Sequence, residues 1–115
     1  MIALDQPRQI DALRAAAGEA CALMKVMSNP DRLLLMCELA GGEKNVGELQ
    51  EATGIVQPSL SQQLGVLRDE EVVATRRDGK NIYYSLASTQ AMAVMGVLYQ
   101  QFCGKRPRAP RKEKR

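Results

Sequence analysis

Histidine is absent from the 115 residues, and so is tryptophan; aromatic rings are limited to Phe102 and three tyrosines. Without imidazole the chain has no side chain of ordinary neutral pKa to act as a catalytic base or to activate a nucleophile. A zinc site would have to be built from cysteine and carboxylate alone. The scarcity of rings leaves the core to Leu, Val, Ile, Met and Ala. Cysteine occurs three times, an odd count at wide spacing, which excludes a disulfide framework. No Cys-x-x-Cys motif, glycine-rich phosphate loop or pocket-forming carboxylate pair is present. A thiol oxidoreductase, the main enzyme alternative, therefore has no support, and neither a cofactor nor a metal is expected.

No run of about 18 apolar residues is available to span a membrane. Met1 to Asp11 lacks the basic segment and apolar stretch of a secretory signal. The expectation is a cytosolic protein, where structural disulfides do not normally persist.

What is present is one domain's worth of ordinary globular sequence, 45% hydrophobic and 25% charged. The formal charge of +3 is unevenly placed: the stretch from Gly104 onward carries +6, leaving −3 for residues 1–103. Residues 1–103 are expected to fold, and the basic, proline-containing 104–115 to form a disordered tail. Nucleic-acid affinity would then need local basic features of the folded body.

The periodicity predicts a first helix over Pro7–Met27, with Ile10, Leu13, Ala17, Ala20, Met24 and Met27 forming a narrow apolar seam. That seam faces either the chain's own core or a second helix across a dimer. Ser28-Asn29-Pro30-Asp31 is a break and restart, with Asn29 as N-cap and Pro30 at the first helical position. Leu33 to Leu39 is apolar almost all round and predicts a central buried helix ended by Gly41-Gly42. A short helix over Val46–Thr53 stops at Gly54. Gln57-Pro58-Ser59 opens the next, with Leu60, Leu64 and Leu67 on its inner side. Val72–Arg77 and Asn81–Leu86 are β-rich runs joined by Asp78-Gly79, a hairpin signal. A last helix runs over about Ser88–Cys103. The order predicts a mainly α fold with a small β-hairpin wing: a winged helix-turn-helix with N- and C-terminal dimerisation helices.

In that arrangement the second helix of the helix-turn-helix enters the major groove by its N-terminal end. Gln57, Ser59, Ser61, Gln62 and Gln63 cluster there, and glutamine pairs bidentately with adenine. In isolation such a cluster would read as a solvated helix face; the adjoining turn and hairpin favour DNA. Arg76, Arg77, Lys80 and Asn81 on the hairpin form a wing suited to phosphate or the minor groove. Arg68 is either a phosphate contact or an ion-pair partner of Asp69 or Glu70. The expected partner is double-stranded DNA carrying a palindromic operator, bound by a homodimer with half-sites about 34–36 Å apart.

Ser28-Asn29-Pro30-Asp31-Arg32-Leu33, Val46-Gly47-Glu48-Leu49, Gln57 to Leu64 with Leu67-Arg68, Arg76 to Lys80 and Tyr83-Tyr84 together resemble the ArsR/SmtB family of bacterial repressors. The resemblance covers roughly residues 20–103 and implies a homodimer that leaves its operator when an inducer is sensed. Two departures stand out. Metalloid sensors of the family carry Cys-x-Cys before the recognition helix, where this chain has Glu48 to Thr53; a metalloid-responsive repressor is the weaker alternative. Zinc, nickel and cobalt sensors use His, Asp and Glu on the last helix, where Gln90–Cys103 has none of these.

Cys37 on the second helix and Cys103 at the end of the last resemble the persulfide-sensing BigR/SqrR subgroup; the anti-silencing HlyU-like proteins share the pair. The resemblance implies that persulfide or polysulfide joins these cysteines through sulfur and releases DNA. Cys37 lies in an apolar segment, which raises a thiol pKa. Cys103 ends a helix, where the dipole disfavours a thiolate, but has Lys105 and Arg106 nearby, which favour one. Cys103 is expected to be attacked first and Cys37 to resolve. Cys21 reads as a small apolar residue beside the first helix's seam.

Overall fold

The computed structural model describes residues 7–104 as five helices and a three-stranded sheet, ordered α1(Pro7–Met27), α2(Pro30–Ala40), β1(Lys44–Asn45), α3(Val46–Thr53), α4(Ser59–Asp69), β2(Val73–Asp78), β3(Asn81–Leu86) and α5(Thr89–Cys103). This is a winged helix-turn-helix, with α3 and α4 as the two-helix unit. The expected disordered tail, Gly104 excepted, lies outside the described residues.

Local chemistry sets each boundary. Asn29 caps α2 by accepting the Arg32 N–H at 3.0 Å, and Pro30 follows at the first helical position. At α3, Asn45 accepts from the Glu48 amide at 2.8 Å while Glu48 accepts from the Asn45 amide at 2.9 Å, a reciprocal capping box. Gly54 ends α3 at φ 77°, a left-handed conformation that glycine adopts without a Cβ penalty. Ser88 caps α5 by accepting the Ala91 N–H at 3.0 Å.

The end of α4 puts a different residue in such a position. Val72 N–H donates to Leu67 C=O at 2.9 Å and Glu71 N–H to Arg68 C=O at 3.0 Å, the paired bonds of a Schellman motif. Glu71 occupies its left-handed position at φ 62°. Val72 and Leu67, both buried, meet the motif's apolar requirement. Glu71→Gly is therefore expected to stabilise the protein by about 0.5–1 kcal/mol, because only the strain of a side chain in this region is removed. Thermal unfolding of the two proteins at equal concentration checks this; an unchanged or lower midpoint rejects it.

The sheet is antiparallel in the order β1-β3-β2, with Lys44 opposite Tyr84 and Asn45 opposite Tyr83. This corrects the two-stranded ribbon expected from sequence: β1 is only two polar residues long, too short to show an alternating pattern. The wing register runs from Val73 opposite Leu86 to Asp78 opposite Asn81, so the connecting residues are Gly79 and Lys80. Asp78, expected in the turn, is instead the last paired residue. Gly79, at φ 65°, takes the position that requires a positive angle.

The core is aliphatic. Leu35, Met36, Leu49, Leu60, Leu64 and Leu67 are fully buried where α2, α3 and α4 meet. Val72 and Val73 close it beneath the sheet, and Ala91 and Met95 join it from α5. Two apolar surfaces stay outside. Helix α1 enters this core only near its end, through Val26 and Met27 with Leu23 packed against them; of the seam read from the sequence only Met27 is buried, while Leu13 and Met24 are 37% and 58% exposed. On α5, Met92, Val94, Val97, Tyr99 and Phe102 face outward, Val97 at 59% exposure. Nor is α2 buried all round, as its composition suggested: Leu34 and Cys37, three residues apart on one side, are exposed.

Candidate nucleic-acid interface and cysteine pair

The start of α4 is organised by its own side chains. Pro58 provides no side-chain cap. Gln57 does so instead, its Oε1 accepting the Ser61 N–H at 3.0 Å. Ser61 and Gln62 are exposed, Ser59 is half-buried, and Gln57 is exposed around its engaged oxygen. Gln63, assigned to the same reading surface by sequence, is half-buried and turned toward α2, where its Oε1 accepts from Arg32 Nη1 at 2.9 Å. Arg68 is exposed in the last turn and, among the described residues, pairs with neither Asp69 nor Glu70.

On the wing, two adjacent arginines differ in their surroundings. Arg76 donates through Nε and Nη2 to both carboxylate oxygens of Glu43, at 3.0 and 2.7 Å. Its guanidinium lies 4.8 Å from the centre of the Tyr83 ring, with Asp78 at 3.8 Å. The hydrogen bonds from Arg76, aided by its charge, hold the Glu43 carboxyl below the usual carboxylate range. Arg77 and Lys80 make no ion pair among the described residues, and with Asn81 they are exposed. On the wing Arg77 and Lys80 are thus exposed cations, while Arg76 ties β2 to the loop before β1. Sequence reading missed Glu43, a loop residue whose partner lies 33 positions away on β2.

The second constellation is the cysteine pair. Cys37 on α2 and Cys103 at the end of α5 are both free thiols and exposed. Cys37 is nonetheless pushed above the ordinary thiol value, first by partial loss of hydration, then by the negative charge of Cys103 and that of Glu38. The second cause means that two residues remote in sequence lie within electrostatic reach of each other, on helices α2 and α5 that pack together. Removing Cys103 removes that repulsion. In Cys103→Ser the rate of Cys37 alkylation by iodoacetamide is therefore expected to rise at lower pH than in the parent protein. Coincident pH–rate curves would show that the two thiols do not interact.

Among the described residues no group of three or more His, Cys, Asp or Glu side chains is placed to hold a metal. A shallow hollow of about 330 Å³ where β3 meets α5 is lined by Leu86, Ala87, Ser88, Thr89, Met92 and Ala93, none of them charged.

Residues 29–75, from the cap of α2 into β2, match the model of the bacterial regulatory protein arsR family. The chain is also 47% identical over 93 residues to the biofilm growth-associated repressor of Xylella fastidiosa strain 9a5c, covering 81% of this chain and 82% of that one. The protein belongs to the arsR family. Solved structures agree with this assignment. The transcriptional repressor BigR from Xylella fastidiosa superposes with a TM-score of 0.78 at 46% identity, over 81% of this chain and 95% of that one. Reduced HlyU from Vibrio cholerae N16961 gives 0.76 at 34% identity, over 80% and 97%. The relatives of this arsR-family chain are transcription regulators, not enzymes. No described helix is long and apolar enough to cross a membrane.

Proposed function

We propose that this arsR-family protein is a homodimeric repressor that binds a palindromic operator when reduced and leaves it when Cys37 and Cys103 are joined through sulfur. Residues 1–103 form the working unit. In each half-site Gln57 in the turn before α4, with Ser59, Ser61 and Gln62 on α4, faces the major groove, and the wing offers Arg77, Lys80 and Asn81 to phosphate or the minor groove. Arg68 supplies a further phosphate contact, and Arg76 sets the posture of the wing. A second copy covers the outward apolar faces of α1 and α5.

The sensing part is supported by geometry: both cysteines are exposed thiols and α2, which carries Cys37, packs against α5, which ends at Cys103; the upward push that Cys103 adds to the Cys37 thiol agrees with this. With a low-molecular-weight persulfide RSSH as oxidant, the Cys103 thiolate takes the terminal sulfur and expels RS⁻, leaving Cys103–S–SH. Attack by the Cys37 thiolate on the inner sulfur expels HS⁻ and forms Cys37–S–S–Cys103; the net products from two thiols and RSSH are the disulfide, RSH and H₂S. If both cysteines take up sulfur first, loss of H₂S between them leaves a three-sulfur bridge. A direct disulfide requires Cα atoms within about 7 Å, whereas a longer bridge tolerates a wider gap. Either ties α2, which packs on α4, to the dimer-forming helix α5. A change of a few ångströms between the two recognition helices then misaligns a two-fold contact.

The DNA reading is tested by salt dependence. Arg77→Ala is expected to lower the slope of log affinity against log salt by about 2 per dimer, near 0.9 for each lost phosphate contact. An unchanged slope in a folded variant removes Arg77 from the interface.

A further inference from the structure

Arg32 lies at the point where three helices converge. Its Nε donates to the Val26 carbonyl at 2.8 Å and its Nη2 to the Lys25 carbonyl at 3.3 Å. Both carbonyls belong to the last turn of α1, whose partial negative charge suits a guanidinium. Its third donor, Nη1, reaches the Gln63 side chain of α4 at 2.9 Å. Its own backbone N–H is held by Asn29, which caps α2. These three acceptors, two backbone carbonyls of α1 and one side-chain oxygen of α4, are bound by one rigid, planar group, so the fork fixes their relative positions as three separate lysine-like contacts would not. Gln63 is flanked by Gln62, which is exposed, and Leu64, which is buried in the core. A hold on Gln63 therefore sets the rotation of α4 about its axis, and with it the direction of Ser61 and Gln62.

We propose that Arg32 is a positioning residue for operator recognition: by gripping Gln63 it locks the recognition helix to the end of α1, and Gln63 serves as the handle rather than as a base-reading side chain. This rests on the reading of α4 as the groove-entering helix. A recognition surface works only when held within roughly 0.5 Å and 10–20° of its productive geometry. The apolar inner face of α4 supplies depth, and the Arg32–Gln63 bond adds a directional constraint at the flank.

The test uses the full-length reduced protein, a DNA fragment from its own upstream region, and single-base variants of that fragment. Four variants are compared: Gln63→Glu, Gln63→Met, Arg32→Met and the Arg32→Met/Gln63→Met pair, with thermal unfolding to confirm the fold. Glutamate keeps the acceptor for Arg32 and adds an ion pair, so Gln63→Glu should bind within about threefold of the parent. Methionine removes the acceptor, and Gln63→Met should lose about tenfold, the usual worth of one hydrogen bond to a charged group. That loss should be equal across the base variants, and the double variant should lose no more than the weaker-binding single variant.

A direct base contact predicts the opposite: Gln63→Glu at least as damaging as Gln63→Met, base preference flattened at one position, and additive losses in the pair. A lower melting temperature with unchanged affinity well below it would show a purely structural bond and overturn the proposal. Should Arg32→Met fail to fold, the contrast between Gln63→Glu and Gln63→Met decides alone. If the reduced parent protein does not retain the fragment selectively, the DNA reading itself falls and this proposal with it.

Discussion

Val97→Asp is expected to leave the monomer folded while reducing operator binding on the order of 10²–10³-fold. Val97 is 59% exposed on the outward face of α5, opposite the side from which Ala91 and Met95 enter the core. A carboxylate there remains in water in the isolated chain, and substitutions at such positions change stability by only about 0.5 kcal/mol. In the proposed dimer the same carboxylate is taken out of water without a cation. An uncompensated buried charge costs about 3–5 kcal/mol, and about 1.4 kcal/mol is a factor of ten. The loss falls on subunit association and, because a palindrome is read by two copies, on operator affinity. Analytical ultracentrifugation and fluorescence anisotropy with a labelled operator measure the two. A variant that remains dimeric and binds normally would move the dimer surface away from α5.

The cysteine substitutions form the second large effect. Cys37→Ser and Cys103→Ser are each expected to bind the operator as the reduced parent does, since both residues are exposed and serine is of similar size. Neither should be released by an organic persulfide. In the parent protein the same treatment should weaken binding about 5–150-fold, the range of an allosteric coupling of about 1–3 kcal/mol. The roles of the two sulfurs differ. Lost hydration and the charges of Cys103 and Glu38 disfavour the Cys37 thiolate, which fits it to resolve rather than to initiate. Persulfide-treated Cys37→Ser should therefore retain added sulfur on Cys103, whereas in Cys103→Ser, where lost hydration and Glu38 still disfavour the thiolate although the repulsion from Cys103 is gone, Cys37 should take up sulfur more slowly. Sulfur accumulating chiefly on Cys37 in Cys103→Ser would reverse the order of attack. Cys21, exposed on α1, is not required, and Cys21→Ser should respond as the parent does.

The helices were legible in the sequence because their ends carry strong local chemistry. Asn29-Pro30, Gly54 and Ser88 act within a few residues, and the periodic leucines of α4 all became core. Strand β1 was not legible, since pairing with Tyr83 and Tyr84 nearly forty residues away is invisible in a two-residue polar segment. The same limit explains Gln63. Its neighbours Ser61 and Gln62 suggested a shared surface, but helical rotation carries it toward α2, where Arg32 waits 31 positions earlier in the chain. Arg76 and Arg77 looked equivalent as a dipeptide; strand alternation separates them, and Glu43 claims only the first. The composition of α2 suggested complete burial, yet its Leu34–Cys37 side is open. The two cysteines were assigned to each other by resemblance to known repressors; their mutual influence depends on α2 meeting α5, which local sequence does not encode.

The most direct test of the sensing account pairs two measurements on one sample. Reduced protein is titrated with glutathione persulfide; each aliquot is assayed for operator retention and then digested for peptide mass analysis under non-reducing conditions. The account predicts a peptide containing Cys37 linked through sulfur to one containing Cys103, growing in proportion to the DNA released and vanishing with dithiothreitol as binding returns. Operator release without that linked peptide, or the linked peptide on protein still bound to its operator, would contradict it.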